Sequence, residues 1–221
     1  MSAANTENTA ASAGGAPHEQ PRGRGGKLKI VAKVLLCLVV LVAGFAAFVA
    51  AQPADFRVTR SAAMSAPPSR IFAQVNDFHN WEAWSPWAKL DPAAKNTFEG
   101  PSAGPGAIFK WSGNDEVGEG SMTLIDSRPS DLITIKLQFV RPFEDTQTSE
   151  FTFVPDGDQT IVTWSIFGEK NFVSKAVCLF MNMDKMLGGE FEKGLAKLKS
   201  VVEAAPEASE EKSADDDPSG S

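Results

Sequence analysis

Residues 132–140 read LITIKLQFV, and the alternation in this stretch decides which fold the chain can adopt. From Ile133 to Phe139 apolar and polar side chains alternate at every step, with Lys136 at the centre of the polar set. Because successive side chains of a strand point to opposite faces, the pattern predicts a strand with one buried and one exposed face. Such strands are typical of antiparallel sheets. The positions predicted to be buried are Ile133, Ile135, Leu137 and Phe139.

Similar patterns lie on both sides of this stretch, and turns rich in Gly, Pro, Asn and Asp separate them. The further predicted strands are residues 56–64, 107–112, 118–126, 146–153 and 160–167. Two short helices are predicted after the first strand, one opening at Ser69 and one around residues 77–84. An antiparallel meander of this kind needs a cover for its apolar face.

The cover is predicted as one long amphipathic helix from about Asn171 to Val202, where apolar residues recur at helical spacing. The pair Gly188-Gly189 interrupts this helix, and each Gly costs about 0.5–1 kcal/mol relative to Ala. A close helix–sheet approach, a kink and room for a ligand are the three explanations to be distinguished. The predicted fold class is α+β, with a curved antiparallel sheet wrapped around the C-terminal helix.

An uncharged run of 18 residues, Val34–Ala51, lies near the N-terminus. At a rise of about 1.5 Å per residue it is about 27 Å long, close to the hydrocarbon thickness of a bilayer. Residues 30–51 are therefore predicted to form a single transmembrane anchor. Five basic residues and two acidic residues precede it, so the positive-inside rule predicts a cytoplasmic N-terminus and an extracytoplasmic C-terminal domain. A cleaved signal peptide is the alternative, although the run exceeds the usual h-region of about 7–15 residues.

The predicted domain, residues 55–202, is flanked by tails at residues 1–29 and 203–221 whose composition predicts disorder. The domain carries a net charge of −4, and the C-terminal tail carries −6. No basic stripe is present, so we expect no nucleic-acid partner. Cys37 lies in the predicted span and Cys178 in the domain, which excludes a disulfide framework. Two His and two Cys far apart in sequence also predict no metal site, and no cofactor is expected.

Three segments resemble one known superfamily. Residues 56–72 (FRVTRSAAMSAPPSRIF), residues 75–87 (VNDFHNWEAWSPW) and the closing helix at residues 181–198 are similar to the START/birch-pollen-allergen-like superfamily, also called SRPBCC, with its polyketide cyclase/dehydrase-type domains. The resemblance covers about residues 56–200. It implies a helix-grip fold with a cavity between sheet and helix that takes a lipid, sterol or polyketide.

The inward positions of the predicted elements are large and mostly apolar, which suits a ligand pocket with few polar groups. The predicted cavity lining from the strands is Phe109, Trp111, Met122, Leu124, Leu137, Phe139, Phe151 and Trp164. The predicted lining from the loop and the closing helix is Trp87, Phe180, Met181, Asp184 and Leu187.

Two charges fall where the pattern expects an apolar residue, Arg60 on the first strand and Asp184 on the closing helix. Burying either charge unpaired would cost several kcal/mol, so each is expected to meet the other, water or a ligand head group, or to reach solvent. His79 has no catalytic partner at a suitable spacing, and a local hydrogen bond is its expected role. Trp81 and Trp84 are interpreted as core, with a pocket mouth or a membrane platform as the alternative.

Three functions remain open at this point. The first is a membrane-anchored domain that binds an apolar, lipid-like small molecule. The second is a cyclase or dehydrase acting on a hydrophobic substrate, for which Asp184 is the only acid–base candidate because no catalytic constellation is present. The third is a non-catalytic interaction module with a collapsed core. The residues do not indicate an oligomeric state.

The topology gives the first testable prediction. A periplasm-active reporter fused after Val202 should be active, because the basic flank before the span holds the N-terminus inside. A cytosol-active reporter at the same position should remain inactive. Activity of the cytosolic reporter alone would reverse the predicted orientation.

Overall fold

The computed structural model describes residues 24–204 of the 221-residue chain. Most of both predicted tails lies outside these residues, so their disorder stays a prediction. The chain forms two compact units, one up to Phe48 and one from Val49 onward.

Helix α1 spans Arg24–Ala50 and contains almost all of the predicted anchor. The 18 most apolar consecutive residues within Lys27–Ala50 have a mean hydropathy of 2.7, and none of these 18 residues is buried. Among residues 24–204 it is the one helix long and apolar enough to cross a membrane. A signal sequence near an N-terminus meets the same criterion, so the cleaved alternative stays open.

The second unit is built on a seven-stranded, curved, fully antiparallel sheet. Its strands are β1 (Asp55–Met64), β2 (Lys95–Glu99), β3 (Ile108–Ser112), β4 (Glu119–Arg128), β5 (Leu132–Arg141), β6 (Asp145–Asp156) and β7 (Gln159–Glu169). The order across the sheet is β1-β7-β6-β5-β4-β3-β2. Strand β2 was missed by the sequence analysis, because all five of its residues are exposed and KNTFE has no apolar alternation.

Two helices follow β1: α2 (Pro68–Asn76) and a 3₁₀ helix (Phe78–Ala83). The prediction of one helix from Asn171 to Val202 is wrong, because the chain forms α3 (Phe172–Cys178) and α4 (Met183–Ala204). Each of these helices starts at its own asparagine. The side chain of Asn171 accepts a hydrogen bond from the backbone N–H of Ser174, and that of Asn182 accepts one from Lys185. An asparagine at this position satisfies a free N–H of the first turn, so the interruption falls before Met183 and not at the glycine pair.

The α+β helix-grip prediction is confirmed, since α4 packs against β1 and covers one part of the sheet's apolar face. Trp81 in the 3₁₀ helix and Trp84 directly after it are both buried, which confirms their interpretation as core. Their indole N–H groups donate to the backbone carbonyls of Val75 and Gln74 at 2.9 and 3.3 Å. A buried Trp needs such a partner for its polar atom.

The burial of β5 follows its predicted alternation in the half of the strand nearest Leu132. Ile133 and Ile135 are fully buried and Lys136 is exposed. Leu137 and Phe139 lie on the same face as the two isoleucines but are only half-buried. The predicted buried face of β5 is confirmed. Side chains on this face change from fully buried to half-buried between Ile135 and Leu137.

This burial pattern gives a stability prediction. Ile135→Ala should lower the free energy of unfolding by about 2–5 kcal/mol, because it leaves a cavity in a fully packed core. Lys136→Ala should change it by less than about 0.5 kcal/mol, because the side chain is exposed. Urea unfolding followed by tryptophan fluorescence measures both, since all five Trp residues lie in the second unit. Equal effects of the two substitutions would contradict the assigned register.

Candidate ligand-binding site

A half-buried apolar surface lies on the part of the sheet that α4 leaves uncovered. The strand register aligns Phe109, Met122 and Leu137 across β3, β4 and β5. Trp111 and Phe139 face each other across Gly120 in the next row. Side chains directly opposite on neighbouring strands share a face of the sheet. These five residues, named here the apolar strip, are Phe109, Trp111, Met122, Leu137 and Phe139, and all five are half-buried.

Gly120 allows the indole of Trp111 to lie across the sheet. A Cβ on Gly120 would stand 2.6 Å from two carbons of the Trp111 ring, so no larger residue fits under it. The ring N–H of Trp111 donates to the carbonyl of Val117 at 2.9 Å, and the ring meets Phe139 edge-on at 6.0 Å. The polar atom of Trp111 is therefore satisfied within the protein, and an apolar ring faces outward.

Three of the predicted lining residues, Leu124, Phe151 and Trp164, lie deeper and are buried. Trp164 stacks between Phe151 at 4.8 Å and Phe191 of α4 at 4.1 Å. Side chains thus occupy the space between sheet and helix at this depth. The three residues are core in this structure, and their role in lining a ligand stays a prediction. Trp87 is partly buried at the edge of the same cluster, edge-on to Trp164 at 5.8 Å.

The closing helix contributes less to this surface than predicted. Only Leu187 packs against the core; Phe180 is 80% exposed and Met181 also faces solvent, at the junction of α3 and α4. Phe180 and Met181 therefore do not lie on the closing helix as predicted, because α4 begins only at Met183.

Asp184 was expected on the inner stripe of the helix, but its side chain is 63% exposed and pairs with Arg60. Two guanidinium nitrogens of Arg60 donate to its two carboxylate oxygens at 3.1 Å, and Nε donates to Glu192 at 2.8 Å. The charges of Arg60 and Asp184, which fall at predicted apolar positions, thus pair with each other, one of the alternatives left open by the sequence. Bidentate geometry of this kind is the strongest form of ion pair.

The hydrogen bonds from Arg60 hold the pKa of Asp184 below its ordinary value, and those to Asp184 and Glu192 raise the pKa of Arg60. A lowered folded-state pKa means that the pair stabilises the fold above the unfolded pKa of the carboxyl and that this contribution is lost as pH falls. An aspartate held ionised by arginine is also a poor proton donor. Asp184 is thus unsuited to the role of general acid in a cyclase.

The glycine pair of α4 separates into two different positions. A Cβ on Gly188 would collide with the guanidinium of Arg60, whereas a Cβ on Gly189 would meet nothing within 4 Å. Of the three explanations left open by the sequence, close helix–sheet approach accounts for Gly188. Arginine, and not a ligand, occupies the space.

Gln147 is a site residue that the sequence analysis missed. It continues the row of Phe109, Met122 and Leu137 onto β6 and is 4% exposed. Its Nε2 donates to a carboxylate oxygen of Asp145 at 2.7 Å, which fixes the orientation of the amide. Its Oε1 lies over Gly168 and has no hydrogen-bond partner among the described residues. The signal was available, since Gln147 occupies a buried-face position in the alternation that contains Phe151 and Phe153.

An unpaired buried carbonyl is costly, by about 1–3 kcal/mol, and such a group calls for an explanation. Gly168 lacks the Cβ that would overlap Oε1 of Gln147, so the backbone leaves space for this acceptor atom. The apolar strip therefore ends at one acceptor atom without a donor.

The other polar features are local. His79 bonds to Asp77 at 2.7 Å and stacks on Phe98 at 4.1 Å, half-exposed, which confirms its expected local role. Within residues 24–204, no group of three or more His, Cys, Asp or Glu side chains is arranged to hold a metal ion. An open depression of about 540 Å³ lies beside the strip, and Phe139, Val140, Glu144 and Asp145 are among its lining residues.

Comparison with known proteins places this architecture in a family. The family model described as polyketide cyclase / dehydrase and lipid transport matches residues 55–203. None of the curated proteins matches the chain.

Solved structures share the fold. A solution structure of a protein from Thermobifida fusca is 20% identical, covers 66% of this chain and 92% of its own, and superposes with a TM-score of 0.51. A crystal structure of a protein from Mesorhizobium loti is 16% identical, covers 67% and 97%, and has a TM-score of 0.50. At these identities the likeness concerns the fold alone.

The two glycines of α4 provide a matched pair of substitutions. Gly189→Ala should stabilise the protein by about 0.5–1 kcal/mol, because alanine has the higher helix propensity and the site is open. Gly188→Ala should give a smaller gain than Gly189→Ala, because the new methyl group displaces the end of the Arg60 side chain from Asp184 and Glu192 and so removes two exposed ion pairs. Urea unfolding at neutral pH compares the two variants. A similar gain from both substitutions would show that Arg60 does not depend on Gly188.

Proposed function

The chain belongs to the polyketide cyclase, dehydrase and lipid-transport family, and from this premise we propose that it is a membrane-anchored protein that binds an apolar, lipid-like molecule on the apolar strip. Helix α1 is the proposed anchor, with the N-terminus in the cytoplasm and the second unit outside. The observation that carries the proposal is the half-buried apolar strip that ends at the unpartnered carbonyl of Gln147.

The strip favours binding because its aromatic and aliphatic side chains are incompletely covered. Removing apolar surface from water contributes about 25 cal/mol per Å², so a ligand that covers Trp111, Leu137 and Phe139 gains energy from each. The rings are held by their own contacts, since Trp111 is bonded to Val117 and rests on Gly120. A surface that is ordered before binding loses little conformational entropy when the ligand arrives.

Gln147 supports a ligand of more specific chemistry. An amide oxygen only accepts hydrogen bonds, so the complementary ligand carries a donor such as a hydroxyl group next to an apolar body. A donor that reaches Oε1 recovers part of the cost of the buried, unpaired carbonyl. Asp145, bound to the other end of the amide, keeps Oε1 turned away from itself. A sterol, a fatty alcohol and a phenolic polyketide all have this combination of groups.

The anchor supports the same proposal from a different direction. Lipid-like molecules partition into bilayers, so a binding domain held at the membrane meets its ligand at high local concentration. The excess of basic residues before α1 favours an N-terminus inside and a domain outside.

A conservative substitution tests the role of Gln147. Gln147→Met preserves the length of the side chain but removes the acceptor, so it should weaken binding of 2-naphthol about 3- to 10-fold, the value of one net hydrogen bond. Binding of 2-methoxynaphthalene, which has no donor, should be unchanged or stronger. Fluorescence titration of residues 52–221 gives both dissociation constants; the core cluster of this fragment is complete, since its buried members all lie between Val58 and Val202.

Two further variants complete the design. Gln138→Met makes the same change on the opposite face of neighbouring β5, and it should affect neither probe. Leu137→Ala removes apolar surface from the strip, and it should weaken both probes. If neither Gln147→Met nor Leu137→Ala changes the affinity for either probe, the strip is not the binding site.

A further inference from the structure

Exposed apolar side chains are concentrated at one end of the second unit. Outside α1, eleven large apolar residues of the described chain are exposed, and six of them lie in the β5–β6 turn, in α3, at the α3–α4 junction and in the first turn of α4. These six, named here the apolar end, are Phe143, Phe172, Val173, Phe180, Met181 and Met186. Apolar patches of this kind on a protein surface mark interaction sites.

The strand topology shows why these segments meet. Strand β1 begins at Asp55 opposite Glu169, the last residue of β7, and α3 follows directly. The backbone N–H of Lys170 donates to the carbonyl of Ala54 at 2.7 Å, and the side chain of Asn171 donates to the carbonyl of Glu144 in the β5–β6 turn at 3.2 Å. The β5–β6 turn and the start of α3 therefore lie at the end at which the chain enters the sheet, and the α3–α4 junction follows α3 directly.

The opposite end of the sheet lies far from this entry. Helix α4 runs in the same direction as β1, since Glu203 near its C-terminus accepts a hydrogen bond from the backbone of Ser65, just after β1. Exposed apolar side chains near that far end are isolated, as at Ile125 on β4 and Val154 on β6. The concentration of apolar surface is thus specific to the entry end.

Only four residues, Ala51–Ala54, connect α1 to β1. Four extended residues span at most about 14 Å. The polar interface of a bilayer is about 5–8 Å thick on each side of the hydrocarbon, so a domain tethered this closely to a spanning helix has its entry end within reach of the lipid head groups.

We propose that the apolar end is a membrane-docking surface that inserts into the head-group and acyl boundary of the bilayer that holds α1. The inference rests on the proposed anchoring of the chain. Phenylalanine and methionine side chains gain from leaving water at this depth. Lys170, Lys175 and Lys185 lie along the same segments, and long basic side chains bury their stems there while the ammonium groups remain at the surface. Asp184, the acid between them, is already paired with Arg60.

Docking in this orientation has a consequence for the ligand. Trp111, Phe139 and Gln147 each stand within two residues of the strand terminus at the entry end. The apolar strip therefore opens toward the docked surface. A lipid-like molecule reaches the strip from the bilayer without crossing bulk water.

Depth-dependent fluorescence quenching tests the docking surface in the full chain. Single cysteines are placed at Phe180 or at Val154 in a chain carrying Cys37→Ser and Cys178→Ser, and each is labelled with an NBD dye. The chain is reconstituted into phosphatidylcholine–phosphatidylglycerol vesicles with or without doxyl-labelled lipids. The probe in the Phe180→Cys chain should show blue-shifted emission that doxyl lipids quench. The probe in the Val154→Cys chain, at the far end, should show neither effect, and Phe143→Cys should behave like Phe180→Cys.

A third labelled chain separates this inference from the anchoring on which it rests. The chain that keeps native Cys37 and carries only Cys178→Ser places the dye inside α1. Quenching at Cys37 without quenching at position 180 retains the anchor and overturns the docking surface. No quenching at either position overturns both. Blue-shifted emission at position 180 that doxyl lipids do not quench would show that protein covers the apolar end, as in association with a second copy, and would also overturn the proposal.

Discussion

The close approach of α4 to β1 and β7, at one edge of the sheet, is the constraint on which the rest of the structure depends. Phe191 stacks on Trp164 at 4.1 Å with the rings 7° from parallel. This contact is available only because Gly194 has no side chain, since a Cβ there would stand 2.8 Å from the ring of Trp164. Gly188 provides a second close approach one and a half turns earlier, where Arg60 crosses the helix. Interiors packed at this density leave little free volume.

The same approach divides the apolar face of the sheet into a covered part and an uncovered part. Where α4 and the buried tryptophans cover it, aromatic rings fill the interior and the protein gains its stability. Beyond that cover the apolar strip remains half-buried, and a polar side chain, Gln147, is enclosed at its end. The proposed site is thus a surface that the fold leaves incompletely covered. Helix α4 begins at Met183, after the α3–α4 junction, and residues of the apolar end are exposed at this junction.

The sequence predicted the fold well because the fold rests on periodicity. The alternation of β5 and its neighbours, and the apolar recurrence in the closing helix, are each expressed within a few residues of one another. Strand β2 was missed because a fully exposed edge strand carries no apolar period. One helix interrupted at Gly188-Gly189 was predicted in place of α3 and α4 because the cap at Asn182 was overlooked, although asparagine is among the preferred helix starters.

The sequence by itself determined the antiparallel meander, the covering helix, the apolar N-terminal segment and the buried face of the strands with a clear alternation, because all of these follow from local spacing along the chain. Only the tertiary structure decided that Asp184 pairs with Arg60, that Gly188 makes room for arginine and that the carbonyl of Gln147 has no partner among the described residues. These facts join residues that lie 21 to more than 120 positions apart, as in Gln147 over Gly168 and Arg60 with Asp184. Hydrogen bonding and steric exclusion act over a few ångströms in space, and no pattern along the sequence records which distant groups come that close.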